Sequence, residues 1–133
     1  MAGYSGKPLV AKLGIQAGAR IAILNAPAGY ERMLGKLPPV IRRASAFGPL
    51  DFVQFFTTEK RKLEPRFAAL ARALAPAGML WISWPKKASG VATDLTEDVI
   101  RAVGLAHGLV DVKVAAVDDV WSGLKFVRHL KDR

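Results

Sequence analysis

The sequence predicts an α/β fold of three layers, in which a mainly parallel sheet ends in an antiparallel hairpin and carries helices on both faces. Three short, unbroken apolar runs, at 20–26, Leu50–Phe56 and 79–84, are typical of strands buried on both faces. Helical patterns separate these runs, as the crossovers between parallel strands require. Two alternating runs at 109–117 and 123–130 favour a final hairpin with one covered face.

Size and composition favour a folded protein with one domain covering residues 1–133. The chain has 133 residues, of which 51% are hydrophobic and 23% are charged, as in typical globular proteins. No uncharged apolar run approaches the roughly 20 residues of a membrane-spanning helix, and no signal peptide is expected. The absence of cysteine excludes disulfides, thiolate metal sites and cysteine nucleophiles. We therefore expect a cytoplasmic protein with no membrane partner.

The basic charge balance predicts an affinity for anions. The net charge is +9 and the pI is about 10.3, which favours contact with nucleotides, nucleic acid or acidic partners. Basic clusters lie at 42–43, 60–62 and 125–133, and on a shared face they would bind phosphate backbones without reading bases. The predicted partners are an anionic small molecule or non-specific nucleic acid, and solubility alone is the alternative. No particular oligomeric state is predicted.

The first half of the chain is predicted to contain short elements around the strand at 20–26. A helix at 7–13 stops at Gly14, and a second short helix is predicted at 30–37. A weak strand follows at 40–47, because two arginines interrupt its apolar pattern.

A longer helix is predicted at 58–75, between the second and third strong strands. Its buried face is formed by apolar residues at spacings of four, three and four: Leu63, Phe67, Leu70 and Leu74. Pro65 either kinks this helix or marks its start. The stretch 75–78, with its proline and glycine, is predicted to end the helix and lead into the strand at 79–84.

The last predicted helix precedes the hairpin. Asp94 and Glu97 have the spacing of a capping box, Thr96 is a competing cap, and Gly108 is a suitable end. The apolar face of this helix is predicted to carry Leu95, Val99, Val103 and Ala106. In the hairpin, a turn at 118–122 joins the strands. The alternating valines on its first strand are Val110, Val112 and Val114.

Parallel strands end at one edge of a sheet, and α/β proteins bind their ligands beyond that edge. The loops at 25–30, 57–61 and 85–94 and the hairpin turn at 118–122 are therefore expected to converge. The candidate ligand-binding residues on these loops are Asn25, Lys86, Lys87, Ser89, Gly90, Thr93, Asp94, Asp119, Trp121 and Ser122. No catalytic residue is assigned.

The loop after the third strong strand is the main candidate for a site. Lys86 and Lys87 stand close to Gly90 and to a helix N-terminus, whose free N–H groups and dipole favour negative charge. A structural alternative stays open. In that alternative the two lysines are solvated, or they pair with Asp94 and Asp119 and fix the shape of the loop.

Patterns of common metal and nucleophile sites are missing from the sequence. The two histidines, His107 and His129, are isolated, and no metal is predicted. Ser83 lacks the Gly-x-Ser-x-Gly elbow of many hydrolases, and there is no P-loop. Trp84 and Trp121 have the rings to stack on a ligand, with packing as the alternative.

Two resemblances extend these predictions. The helix end at 74–78, the strand at 79–84 and the terminal hairpin resemble the later half of a class I methyltransferase, which implies a reduced Rossmann-like fold. The stretches SWPKKASGVATDLTEDVIR and VDVKVAAVDDVWSGLKFV resemble a family of small bacterial proteins known as a domain of unknown function. This second resemblance covers nearly the whole chain and implies a fold without a particular activity.

Two positions depart from the methyltransferase pattern. That family has a glycine-rich turn after the first strand, whereas 25–30 reads NAPAGY, with one glycine and a proline that lacks a backbone N–H. The acidic residue expected after the second strand is replaced by RRAS at 42–45. S-adenosylmethionine binding in the usual manner is therefore not expected, and no cofactor is predicted.

Three functions remain open on this sequence. The leading hypothesis is a small binding protein that holds a nucleotide or phosphorylated group at the loop from Lys86 to Asp94. The first alternative is a methyltransferase-related enzyme with a degenerate cofactor loop, in which Asp119 or Lys86 takes part in the chemistry. The second is a basic module for nucleic acid or protein. Whether the chain is an enzyme is left open.

Overall fold

In the computed structural model, which describes residues 7–133, the chain forms one six-stranded sheet with helices on both faces. The strands are β1 (Arg20–Leu24), β2 (Ile41–Arg42), β3 (Leu50–Phe56), β4 (Leu74–Pro85), β5 (Leu109–Ala116) and β6 (Trp121–Arg128). The helices are α1 (Leu9–Leu13), α2 (Tyr30–Leu34), α3 (Lys60–Arg72) and α4 (Glu97–Ala106), with short 3₁₀ turns at Lys87–Ser89 and Leu130–Asp132.

The sheet has the order β2-β1-β3-β4-β6-β5 and is parallel except for one strand. β1 pairs parallel with β2 and with β3, and β3 pairs parallel with β4. β6 is antiparallel to both of its neighbours, β4 and β5. β5 therefore runs in the same direction as β4 at the outer edge. The predicted parallel centre and final antiparallel hairpin are confirmed.

Each face of the sheet has its own apolar core, which gives the molecule its three layers. Phe52 and Phe56 of β3 pack on the side of α1 and α2, whereas Val53 and Phe55 pack on the side of α3 and α4. All four side chains are at most 3% exposed, as the unbroken apolar run of β3 predicts. The indole Nε1 of the buried Trp81 donates to the backbone carbonyl of α1 at 3.0 Å, which ties that helix to the sheet.

The start of β4 differs from the prediction. The strand begins at Leu74, so 75–78 belongs to a strand and not to a helix end. The register between β3 and β4 shifts between Leu50 and Phe52, which identifies a bulge in β4. A Cβ at Gly78 would lie 2.6 Å from the carbonyl oxygen of Leu50, so only glycine fits this close approach. The proline and glycine that predicted a turn are thus part of the bulge.

The strand predicted at 40–47 is also shorter than expected. β2 contains only Ile41 and Arg42, and both are exposed. An edge segment whose side chains stay about half exposed, here 50% for Ile41 and 42% for Arg42, gains little from extending its pairing. The connection from Arg43 to Pro49 then reaches β3 without a helix.

The hairpin also departs from the prediction in its details. A register shift between Asp111 and Lys113 interrupts the alternation of β5, because a bulge moves the following side chains to the other face. Val112 and Val114 are consequently 54% and 48% exposed, and the expected covered row of valines is wrong. β6 spans Trp121–Arg128 and not 123–130.

The capping of the last two helices is a further correction. Thr96, the competing candidate, caps α4 by accepting a hydrogen bond from the backbone N–H of Val99 at 3.2 Å. The carboxylate of Asp94 instead accepts from the backbone N–H of Lys60 at 2.9 Å, at the start of α3. α3 begins before Pro65 and continues through it, so a helix start at that proline is wrong. Within the described part of the chain, no helix combines the length and apolar character needed to span a membrane.

Candidate functional site

The loops after β1, β3 and β4 meet the hairpin turn at the carboxyl edge of the sheet. The side-chain amide of Asn25, after β1, donates to the carbonyl of Phe56 at 2.8 Å. The backbone N–H of Lys86, after β4, donates to the carbonyl of Val120 in the hairpin turn at 2.7 Å. The first hydrogen bond joins the loop after β1 to the end of β3, and the second joins the loop after β4 to the hairpin turn. The candidate site is therefore one continuous edge.

The turn after β1 is tight because two of its residues adopt a left-handed backbone. Asn25 has φ 60° and Gly29 has φ 84°. Asparagine is one of the few residues besides glycine that populate this region readily. The turn delivers the chain into α2, whose first residue, Tyr30, is buried. Asn25 itself is exposed, so its polar side chain lies at the open end of β1.

Four of the predicted ligand-binding residues shape the loop after β4. Ser89 donates through Oγ to the carbonyl of Lys86 at 2.6 Å, and Gly90 has φ 77°. Thr93 donates through Oγ1 to the carbonyl of Thr58 at 2.6 Å and accepts from the N–H of Leu95 at 3.1 Å. The fourth, Asp94, is committed to the start of α3. The hydroxyls of Ser89 and Thr93 and the carboxylate of Asp94 are therefore occupied by backbone groups of this loop and of neighbouring segments.

The two lysines of the same loop remain open. Lys86 is half-buried and Lys87 is exposed. Among residues 7–133, neither lysine side chain forms an ion pair or a hydrogen bond. The alternative in which they pair with Asp94 and Asp119 is therefore wrong, and both ammonium groups are available to an anion.

The hairpin turn is held by one of its own carboxylates and carries the ring of Trp121. The carboxylate oxygen Oδ1 of Asp118 accepts from the N–H groups of Val120 and Trp121 at 2.8 and 2.7 Å. Asp119 is exposed beside it, and Ser122 is half-buried and pairs with Trp84 across the sheet. Trp84 is only 7% exposed, so its ring belongs to the core and is not a stacking surface.

Three aromatic rings form a row along this edge. The ring of Trp121 meets Phe56 edge-to-face at 5.1 Å between centroids, and Phe56 meets Tyr30 at 4.7 Å. Such contacts add about 0.5–1.5 kcal/mol per pair to the gain from burial. Trp121 is half-buried, so part of its ring packs on this row and part faces the edge.

A buried polar chain under the edge was missed by the sequence analysis. The phenol of Tyr30 donates to Oε1 of Gln54 at 2.6 Å, and Nε2 of Gln54 donates to Oγ of Ser83 at 3.1 Å. All three residues are buried, and burial raises the pKa of Tyr30. The chain fixes α2, β3 and β4 relative to each other. The available signal was the single glutamine within the apolar run of β3.

The end of β2 carries an ion pair where an acidic residue was expected. Arg42 donates both terminal nitrogens to Glu31 of α2, at 2.8 and 2.9 Å. The hydrogen bonds from Arg42 lower the pKa of Glu31. A carboxylate therefore does stand at the end of β2, although it comes from the neighbouring helix. Among residues 7–133, no cluster of metal-ligating side chains is present.

A basic groove also opens at this edge, on the side of α3. It has a volume of about 420 Å³ and lies between the open end of β1, the end of β3 and the first two turns of α3. Its cations are Arg61, Lys62 and Arg66, and the guanidinium of Arg66 lies over the ring of Phe55 at 4.9 Å. Arg61 and Lys62 belong to the basic cluster predicted at 60–62, although they were not among the candidate ligand-binding residues, and Arg66 was not predicted.

Solved structures with a similar fold are methyltransferases. A putative type 11 methyltransferase from Sulfolobus solfataricus has a TM-score of 0.66 at 12% identity, covering 100% of this chain and 99% of that chain. A SAM-dependent methyltransferase from Aquifex aeolicus has a TM-score of 0.64 at 13% identity, with coverages of 93% and 89%. The fold is that of the class I methyltransferases.

A third neighbour with this methyltransferase fold was solved with a bound ligand. Magnesium protoporphyrin IX methyltransferase from Synechocystis PCC 6803 with bound SAH has a TM-score of 0.59 at 15% identity, covering 91% of this chain and 78% of that chain. No protein-family model and no curated protein matches the chain. The resemblance to a bacterial domain of unknown function therefore stays a prediction. At 12–15% identity, this similarity establishes the fold.

Proposed function

We propose that this chain is a methyltransferase-related protein that binds S-adenosylmethionine, or a compound with the same adenosine part, at the carboxyl edge of its sheet. The observation that supports this proposal is the similarity of the fold, which extends over 100% of this chain in one methyltransferase. Ligands of α/β sheets bind at the carboxyl ends of the strands. The expectation that S-adenosylmethionine would not bind is thereby reopened.

Two local features fit an adenosine ligand. The left-handed residues Asn25 and Gly29 make the turn after β1 tight, which leaves room for a ligand at the strand end. Glu31 presents a carboxylate, 57% exposed, beside the end of β2. A carboxylate in that region is the usual acceptor for ribose hydroxyls. On this proposal, Glu31 exchanges part of its bonding with Arg42 for the ligand.

Binding of S-adenosylmethionine is the first step of this function, and methyl transfer would be a second step. S-adenosylmethionine, when bound, supplies an electrophilic methyl group. The contribution of this chain is to hold the adenosine part against β1 and β2 and to present the half-buried Trp121 beside the ligand.

Binding is tested by thermal unfolding and calorimetry with S-adenosylmethionine, S-adenosylhomocysteine and adenosine. A ligand at 100 times its Kd adds about 2.7 kcal/mol to the free energy of unfolding, so a clear rise in Tm is expected. Glu31→Gln should weaken binding about tenfold, because a hydrogen bond to a charged group is worth about 1.5–3 kcal/mol. Glu64→Gln, which breaks an ion pair with Lys60 on α3, is the matched control. A Tm that none of the three compounds changes at millimolar concentration contradicts the proposal.

A second candidate function is the binding of a plain anion by the loop after β4. It is favoured by the two open ammonium groups of Lys86 and Lys87. Inorganic phosphate alone should then raise the Tm, and the double variant Lys86→Ala/Lys87→Ala should abolish that rise. The adenosine compounds separate the two functions, because a plain anion site gains nothing from the nucleoside.

A further inference from the structure

The basic groove beside α3 has a local composition that differs from the rest of the edge. Its three cations, Arg61, Lys62 and Arg66, lie within six residues of one helix. At a rise of about 1.5 Å per residue they span roughly 8 Å. Asn25 and Thr57 also line the groove with neutral polar side chains, which are hydrogen-bonded to the backbone. The groove thus concentrates positive charge around a space of about 420 Å³.

Arg66 is held in place without using its hydrogen-bond donors. The central guanidinium carbon of Arg66 lies over the ring of Phe55, 4.9 Å from the ring centroid, and Phe55 is itself 3% exposed and therefore fixed in the core. A cation–π contact of this kind is electrostatic and does not need the N–H donors of the guanidinium. Within the described residues, the side chain of Arg66 makes no ion pair or hydrogen bond. A guanidinium fork whose donors are unused matches two oxygens of one anion.

The other two cations are only partly neutralised. Arg61 and Lys62 share a single carboxylate, that of Glu59, at 3.2 and 3.1 Å. The pKa of Glu59 is lowered by its hydrogen bonds to Lys62 and Arg61. Three positive charges therefore face one negative charge, and the excess of two matches a dianion. The side chains of Arg61 and Lys62 line the groove and are 76% and 61% exposed.

We propose that this groove binds the phosphate group of a small phosphorylated molecule. The groove would hold the second ligand of the edge, and its role as a substrate site rests on the proposed function. The short span of the cations fits one or two phosphate groups. A nucleic-acid strand would instead need cations spread along a longer surface.

The proposal is tested with inorganic pyrophosphate, measured by calorimetry on the whole chain. The variant Arg61→Gln/Arg66→Gln removes both guanidinium groups of the groove. The control Arg72→Gln/Lys131→Gln removes the same charge at exposed positions, one at the far end of α3 and one after β6. We expect the groove variant to bind pyrophosphate at least about tenfold more weakly than the wild type, and the control to bind within about twofold. Arg66→Lys keeps the charge but loses the stacked fork, so it should fall between the two.

Several outcomes would overturn the assignment. They are equal losses in the groove variant and the control, loss only in Lys86→Ala/Lys87→Ala, or no binding of pyrophosphate by the wild type at millimolar concentration. Tighter binding of a single-stranded oligonucleotide, with loss at high salt that is equal in all variants, would indicate a diffuse polyanion surface instead. S-adenosylhomocysteine, titrated on the same proteins, separates this test from the proposed function. If the groove binds pyrophosphate but the protein binds none of S-adenosylmethionine, S-adenosylhomocysteine and adenosine, the phosphate assignment stands and the proposed function is contradicted.

Discussion

The loop from Lys86 to Asp94 and the basic groove beside α3 lie at the same edge and both carry lysine or arginine, yet their polar groups have different bonding partners. In the loop, the hydroxyls and the carboxylate are bonded to backbone groups of the loop and of α3. In the groove, Arg66 rests on an aromatic ring and keeps its donors. Polar residues after a strand therefore identify a site only when their hydrogen-bonding groups are unused.

The largest effect on stability is expected for a substitution at Thr93, which tests whether the polar groups of the loop hold its fold. Thr93→Val keeps the shape of the side chain but removes the hydrogen bonds with Thr58 and Leu95. Leaving their partners unsatisfied in a partly buried position should lower the free energy of unfolding by about 1–3 kcal/mol. Denaturant unfolding measures this change, with Ser45→Ala on the exposed connection after β2 as the control. Unaltered stability would mean that the hydroxyl does not hold the loop.

A smaller loss is expected at Asp94, because it acts as a cap on α3. Asp94→Ala removes the acceptor of the Lys60 N–H, and such caps contribute about 1 kcal/mol. The variant should melt at a lower temperature while its pyrophosphate affinity stays within about twofold of the wild type. A marked loss of affinity with unchanged stability would return Asp94 to the list of ligand-binding residues.

Neutralising Glu59 is expected to strengthen the binding of pyrophosphate by the groove. Glu59→Gln frees Arg61 and Lys62, so pyrophosphate should bind a few times more tightly. The pKa of Glu59 is lowered in the folded protein, so its small contribution to stability is present above the unfolded value of about 4.3 and is lost as pH falls through the folded value. Wild type and variant should therefore converge in stability in acid. Weaker pyrophosphate binding by the variant at pH 7 would contradict the roles assigned to these charges.

The smallest effect on stability is expected for the two open lysines. Lys86→Ala/Lys87→Ala breaks no ion pair among residues 7–133, so the free energy of unfolding should change by no more than about 0.5 kcal/mol. Its pyrophosphate affinity should stay near that of the wild type if the groove is the phosphate site. A selective loss of affinity would move the anion site from the groove to the loop.

The local sequence pattern was sufficient to predict elements whose side chains are uniformly buried. The boundaries of β3 match the apolar run Leu50–Phe56, and Thr96 was among the two caps considered for α4. The predicted start of β4 was wrong because residues 75–78 have the composition of a turn. The bulge that β4 forms there depends on its pairing with β3, which the local sequence does not show. Composition cannot distinguish these two uses of proline and glycine.

The candidate site was predictable in place but not in the roles of its residues. The edge followed from strand direction alone. The role of Asp94 depends on a partner 34 residues away, and that of Thr93 on one 35 residues away. Arg66 was missed because its contact with Phe55 is between a helix and a strand. Such a contact produces no regular spacing in the sequence.

The bulge in β5 has a consequence for how the molecule behaves in a crowded solution. β5 is the outer strand of the sheet and exposes Val112 and Val114, which makes it a template for pairing with another chain. The register shift between Asp111 and Lys113 breaks the regular row of donors and acceptors, and the exposed lysine adds charge to the strand. A strand from a second molecule therefore meets an interrupted hydrogen-bonding row, so the edge resists growth into an aggregate.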